Sequence, residues 1–169
     1  MYPLTHYIGE TLIFYQPSFK KREYELRALD EVLAMLAFPK LLGNRAVVEI
    51  YDQKFEIKQP SFWRTEFGVY KFGYQMPFAK FVANFWKTKG TIELPKGARL
   101  NCKSGKLRKP FEIYSSQGEL LIAYQNMLSF KGKTEAVIHQ NFELLEKYPW
   151  IILLGFYVIL LYKRARAAH

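Results

Sequence analysis

The sequence predicts a mostly β protein: a closed antiparallel β-barrel of about 10–12 strands, built from a duplicated meander, with a hydrophobic C-terminal helix buried in its centre. Three observations lead there. Short runs of β-branched, aromatic and alternating polar residues follow one another from Thr11 to Ile138, with turn residues between them. Part of this pattern occurs twice at a spacing of 44 residues. Near the C-terminus, the stretch from Tyr148 to Tyr162 carries no charge at all.

In chain order, the first strand is expected at Thr11 to Tyr15, after a turn at Gly9. Tyr24 to Leu29 and Val32 to Phe38 form a hairpin across Asp30-Glu31. The second of these runs is rich in alanine and leucine but is short and stops at Pro39, which disfavours helix before it. Arg45 to Tyr51, Lys54 to Lys58, Arg64 to Phe72 and Gln75 to Ala83 follow, separated by Asp52-Gln53, Gln59-Pro60-Ser61 and Gly73. Phe55-Glu56-Ile57-Lys58 alternates apolar and charged residues, as a half-buried strand does. Then come Gly90 to Leu94, Arg99 to Lys103, Lys109 to Ser115, Leu120 to Gln125, Met127 to Phe130 and Thr134 to Ile138.

The repeat pairs Ala46-Val47-Val48-Glu49-Ile50 with Gly90-Thr91-Ile92-Glu93-Leu94, and Phe67-Gly68-Val69-Tyr70 with Phe111-Glu112-Ile113-Tyr114. Between them, Phe55 to Lys58 matches Leu100 to Lys103 with one residue more of displacement. Two copies are too few for a solenoid. Closure into a barrel removes the exposed edges that a duplicated sheet would otherwise present.

The uncharged stretch reads as a helix over about 146–166. Pro149 suits a first helical turn, with Glu143 and Glu146 at the positive end of the dipole and Lys163, Arg164 and Arg166 at the negative end. Tyr148 to Tyr162 spans about 22 Å as a helix, short of the roughly 30 Å of a bilayer core. A helix apolar on every side belongs either inside protein or in lipid. Burial in the barrel is the expectation, because a barrel of this many strands is too wide for its own side chains to fill. A membrane tail anchor is the alternative.

One domain over residues 1–169 fits the length, and half the residues are hydrophobic, enough for a sizeable core. A single cysteine, Cys102, excludes an internal disulfide framework and a cysteine-based zinc site. Met1 to Thr5 lacks a basic segment followed by an apolar run, so no signal peptide is read there and a cytoplasmic location, peripheral to the membrane, is the expectation. His6, His139 and His169 have no metal-ligand spacing. Arg99, Lys103 and Lys106 next to Cys102 favour a lowered pKa, but a lone cysteine in a strand is expected to be an apolar filler rather than a reactive group. No phosphate loop, nucleophile elbow or dinucleotide fingerprint occurs. The expectation is therefore no enzyme, no cofactor and no metal.

The net charge is +10, and Lys80 to Lys109 contributes most of it, with nine basic residues against the single acid Glu93. A field of one sign favours an acidic partner. The residues expected to form a binding face are Lys87, Lys89, Lys103, Lys106, Arg108 and Lys109. Phe78, Phe81, Phe85 and Trp86 are interleaved with this region; strand alternation sends such aromatics inward and the lysines outward. An anionic membrane surface or phospholipid is the expected partner, and nucleic acid the less favoured one.

The meander, the segment Phe62-Trp63-Arg64-Thr65-Glu66-Phe67 and the ending Pro149-Trp150-Ile151-Ile152-Leu153-Leu154-Gly155-Phe156-Tyr157 resemble the tubby C-terminal-like superfamily. That group includes phospholipid scramblases, plant LURP-one-related proteins and many bacterial proteins. The resemblance covers about Tyr24 to Arg166 and implies a closed antiparallel barrel threaded by a hydrophobic C-terminal helix. It speaks to fold rather than activity. An acidic calcium loop, a palmitoylation cysteine cluster and a tubby-type phosphoinositide motif are all missing, so no functional residue is carried over.

Overall fold

Twelve antiparallel strands close on themselves, each paired with its neighbours in sequence and the first with the last. The structure is a computed structural model and describes residues 2–59, 65–84, 86–105, 108–126 and 132–168. The strands are β1 (Thr11–Tyr15), β2 (Glu23–Ala28), β3 (Glu31–Ala37), β4 (Ala46–Ile50), β5 (Gln53–Lys58), β6 (Glu66–Lys71), β7 (Ala79–Ala83), β8 (Lys89–Glu93), β9 (Arg99–Ser104), β10 (Phe111–Tyr114), β11 (Leu120–Asn126) and β12 (Thr134–Ile138). Two helices follow, α1 (Glu143–Lys147) and α2 (Ile151–Ala167).

Local chemistry sets these boundaries. Tyr51 and Asp52 both adopt positive φ, 50° and 59°, in the two-residue connection from β4 to β5. A twisted hairpin with so short a loop requires that geometry. The strand expected from Gln75 begins only at Ala79, two residues beyond Pro77, which has no N–H to give a ladder. Pro110 likewise delays β10 to Phe111. The strand expected at Met127 to Phe130, and Phe62, Trp63 and Arg64 of the family-like segment, lie outside the described residues.

The duplicated meander has a counterpart in pairing register. Val48 stands opposite Phe55 in the first copy, and Ile92 opposite Leu100 in the second. Ile57 stands opposite Val69, and Cys102 opposite Ile113. The offsets read from sequence carry each pair onto its partner. Alternation sends Ala46, Val48 and Ile50 into the core, while Val47 stays half-buried and Glu49 exposed. Gly90 leaves room for the Phe81 ring, since an added Cβ would sit 2.5 Å from Phe81 Cζ.

Helix α2 is buried on every side from Ile151 to Ile159. Phe14 of β1 stacks on Phe156 at 4.0 Å, and Phe67 of β6 meets Tyr157 edge-on at 5.5 Å. Tyr124 Oη of β11 donates to Ile152 O at 2.7 Å. Strands β1 and β6 lie on opposite sides of the closed ring. Aromatic side chains from both sides thus converge on one helix, which accounts for its lack of a polar stripe.

The start of α2 differs from the sequence expectation. Pro149 precedes the helix, and Trp150 is its N-terminal flanking residue. Glu143 and Glu146 belong to the separate helix α1, so no acid occupies the first turn of α2. Fully buried Trp150 explains the break: it packs against Phe55 and Phe78, with ring centroids 6.5 and 5.5 Å away. Among the described residues, no helix is long and apolar enough to cross a membrane.

Candidate functional site

An up-and-down meander places every second connection at the same end of the barrel. One end therefore gathers the described residues of six connections, which are 16–22, 38–45, 59 and 65, 84 and 86–88, 105 and 108–110, and 132–133. The C-terminal half of α2 reaches this end too. Tyr157 Oη donates to Asn44 O at 2.5 Å, and Arg164 Nη1 to Asn44 Oδ1 at 3.1 Å.

The six connecting sequences and residues 163–169 contain no aspartate or glutamate. The described residues of this end nevertheless include Lys20, Lys21 and Arg22, Lys40 and Arg45, Lys87, Arg108 and Lys109, Lys133, and Lys163, Arg164 and Arg166. The opposite end carries Glu10, Asp30, Asp52, Glu119, Glu143 and Glu146 against Lys96 and Lys147. The barrel is thus electrically polar along its axis, with one basic mouth. Such a surface concentrates anions and steers them.

Large apolar side chains stand at the same mouth. Phe19, Leu41, Leu42 and Trp86 are 89%, 78%, 95% and 77% exposed. They come from three different connections, each of which also supplies cations. Trp86 breaks the expectation that aromatics of this region turn inward, because it sits in the connection after β7 rather than on a strand; Phe81 obeys it and is buried.

Arg22 and Arg164 anchor one lip. Their guanidinium groups lie over the Phe38 ring at 4.3 and 4.6 Å. Both Nη1 atoms donate to Gly43 O, at 3.2 and 3.3 Å, which holds two like charges close together. Arg22 Nη1 also donates to Lys40 O at 2.8 Å, tying two connections together, while its buried Nη2 has no hydrogen-bond partner. Burial lowers the pKa of Arg22, and burial followed by the neighbouring Arg166 charge lowers that of Lys163.

The six residues expected from sequence divide between mouth and wall. Lys87 lies in the connection from β7 to β8, its Nζ 5.7 Å from the centre of the Tyr162 ring. Arg108 and Lys109 are exposed in the connection from β9 to β10. Lys89 and Lys103 stand on the outer wall, directly opposite each other in the β8–β9 register. Like charges so placed oppose folding by roughly 0.2–1 kcal/mol. Lys103 is partly compensated, with Glu112 opposite on β10 and its Nζ 4.8 Å over the Tyr114 ring. Lys106 lies outside the described residues. Lys80 and Arg99, from the same basic segment, are taken up by Glu93 at 3.5 and 4.0 Å.

Sequence reasoning missed the cations contributed by Lys20 to Arg22, Lys40, Lys133 and the end of α2. The available signal was the absence of acids from every second connection. Cys102 sits in β9 as the apolar filler expected of a lone strand cysteine: its thiol is buried, and burial pushes its pKa up, away from the reactive thiolate, despite the basic neighbours. His6 stacks on Tyr2 at 4.4 Å, His139 is exposed, and His169 lies outside the described residues. Among the described residues no group of three or more His, Cys, Asp or Glu could hold a metal ion. No family model, no curated protein and no solved structure matches this chain.

Proposed function

We propose that this chain is a non-enzymatic barrel that binds anionic phospholipid surfaces through its basic mouth, as a cytoplasmic protein peripheral to the membrane. The observation that carries the reading is the set of mouth connections without an acid, where cations stand among exposed Phe19, Leu41, Leu42 and Trp86. Cations attract an anionic leaflet by about 1 kcal/mol each near the surface. Exposed apolar tips then gain by entering the interface, where tryptophan is at home. Nucleic acid would use the cations but gains less from leucine and phenylalanine tips spread over separate loops.

We also propose that α2 fills the barrel centre and that the chain is related to the tubby C-terminal-like superfamily. The closed antiparallel ring and the burial of the C-terminal helix from Ile151 to Ile159 support both. Co-sedimentation with vesicles tests the function. Binding to phosphatidylserine-containing vesicles, little binding to phosphatidylcholine alone, and weakening with salt are expected. Absence of binding to anionic vesicles at low salt would refute the lipid reading. An oligonucleotide that displaces the protein fully from vesicles would favour nucleic acid instead.

A further inference from the structure

The end of α2 does not fill its surroundings at the basic mouth. Two cavities of about 470 and 460 Å³ flank it. They share Lys87, Tyr162 and Ala165, so together they form one crescent between the helix and the inner wall. Small residues create the gap. Ala165 faces it from the helix, and Ala83 and Ser104 from the wall. Arg164 borders one end of the crescent and also lies over the Phe38 ring at 4.6 Å.

The crescent has an apolar floor and a charged rim. Ile159, Leu161 and Phe67 lie deep, and Lys87, Arg164 and Arg166 stand around it. Tyr162 Oη is buried there beside the Ser104 hydroxyl, and burial pushes the phenol pKa up. A volume in this range, mostly apolar with a few convergent polar groups, is that of a small-ligand site.

We infer that the crescent binds a single-chain amphipathic anion, with its carboxylate or phosphate held by Lys87 and Arg166 and its alkyl chain laid between α2 and the wall. Charge complementarity selects the sign: no acid lies in any of the connections or in the helix end that form this mouth. The inference rests on the basic-mouth reading for its charge argument and on the cavity for its chain. A free fatty acid and a phosphate-headed single-chain lipid share the required chemistry.

Calorimetric titration of the full chain with laurate and with dodecyl phosphate, both below their micelle-forming concentrations, tests it. Saturable binding of at least one is expected, with dodecyltrimethylammonium not binding. Preference for laurate or for the phosphate identifies the head group source. Ala165→Phe fills the crescent from an exposed helix position and should weaken binding at least about tenfold, while Lys87→Gln should weaken it by about the same factor, ~1.4 kcal/mol, by removing one anchoring charge. Failure of both anions to bind, equal binding of the cation, or an unchanged affinity in Ala165→Phe would overturn the inference. If Ala165→Phe does not fold, Lys87→Gln combined with Arg166→Gln decides the matter on the same terms. Vesicle co-sedimentation of wild type and Ala165→Phe separates the two readings: retained vesicle binding with lost laurate binding in Ala165→Phe supports a distinct pocket, and a wild type that binds laurate but not anionic vesicles refutes only the surface reading.

Discussion

Replacing Gly155 by alanine should destabilise the protein, against the local preference of the helix. In an exposed helix interior this change stabilises by about 0.8–1 kcal/mol. Here an added Cβ would lie 2.6 Å from Tyr124 Cζ, far inside contact distance. Tyr124 cannot simply turn away. It is fully buried and donates to Ile152 O at 2.7 Å. Phe111 and Phe14 flank its ring at 5.9 and 6.3 Å. Overpacking of such a site costs about 1–3 kcal/mol, and displacing the hydroxyl forfeits a buried hydrogen bond worth about 1 kcal/mol. The net effect is a loss of about 1–3 kcal/mol. At roughly 2–4 °C per kcal/mol for a chain of this size, the melting temperature falls by several degrees. Urea denaturation followed by circular dichroism measures it. Tyr124→Phe combined with Gly155→Ala should cost less than the sum of the single changes, because the clashing oxygen is gone. A Gly155→Ala variant more stable than wild type would show that α2 does not pack against β11 as described.

Other outcomes follow from the same contacts. Leu154→Lys places an unpaired charge among residues that are wholly buried, at a cost of more than about 4 kcal/mol, so the variant should lack a cooperative melt; a wild-type melting curve would contradict the enclosed helix. Glu56 is held below the usual carboxylate range first by its hydrogen bond from Arg45 Nε at 2.6 Å and further by the Gly73 N–H at 3.0 Å. A depressed carboxyl contributes stability above its unfolded pKa of about 4.3 that is lost as pH falls through the folded value. Glu56→Gln should therefore be less stable by about 1.5–3 kcal/mol at neutral pH and show a shallower acid dependence below pH ~5; an unchanged acid profile refutes this. Leu41→Ser with Leu42→Ser should leave the melting temperature unchanged, since both are exposed, yet weaken vesicle binding equally at low and high salt; a purely salt-dependent effect would argue against insertion of these tips.

The barrel was legible because strand signals are local. Alternation in Ala46 to Ile50 and in Phe55 to Lys58 marks a half-buried sheet, and the repeat offsets of those segments later matched their pairing registers. The boundaries were less legible where one residue acts at a distance. Pro149 looked like a helix start, but packing of Trp150 against Phe55 and Phe78 separates α1 from α2. The mouth was hardest to read. Lys87 and Arg108 are close in sequence, but Lys20 to Arg22 and Arg164 join them only through the alternation of connections in a closed ring. A count of charge along the chain merged the wall residues Lys89 and Lys103 with mouth residues, and counted Lys80 and Arg99 without their partner Glu93. The exposed tips Leu41 and Leu42 carried no signal, since leucine in a sequence reads as core.

Two variants with the same change in net charge test the central claim most directly. One replaces Lys20, Lys87, Arg108 and Lys109 at the mouth by glutamine; the other replaces Lys54, Lys71, Lys80 and Arg99, exposed or half-exposed and on strands away from it. Surface ion pairs contribute little to stability, so both should fold and melt like wild type. Affinity for phosphatidylserine-containing vesicles at low salt is then compared. The mouth variant should lose up to about 4 kcal/mol, roughly a thousandfold, at about 1 kcal/mol per cation, while the wall variant stays within about tenfold of wild type. Equal losses in the two variants, or no loss in either, would contradict a barrel that meets its partner through one basic mouth.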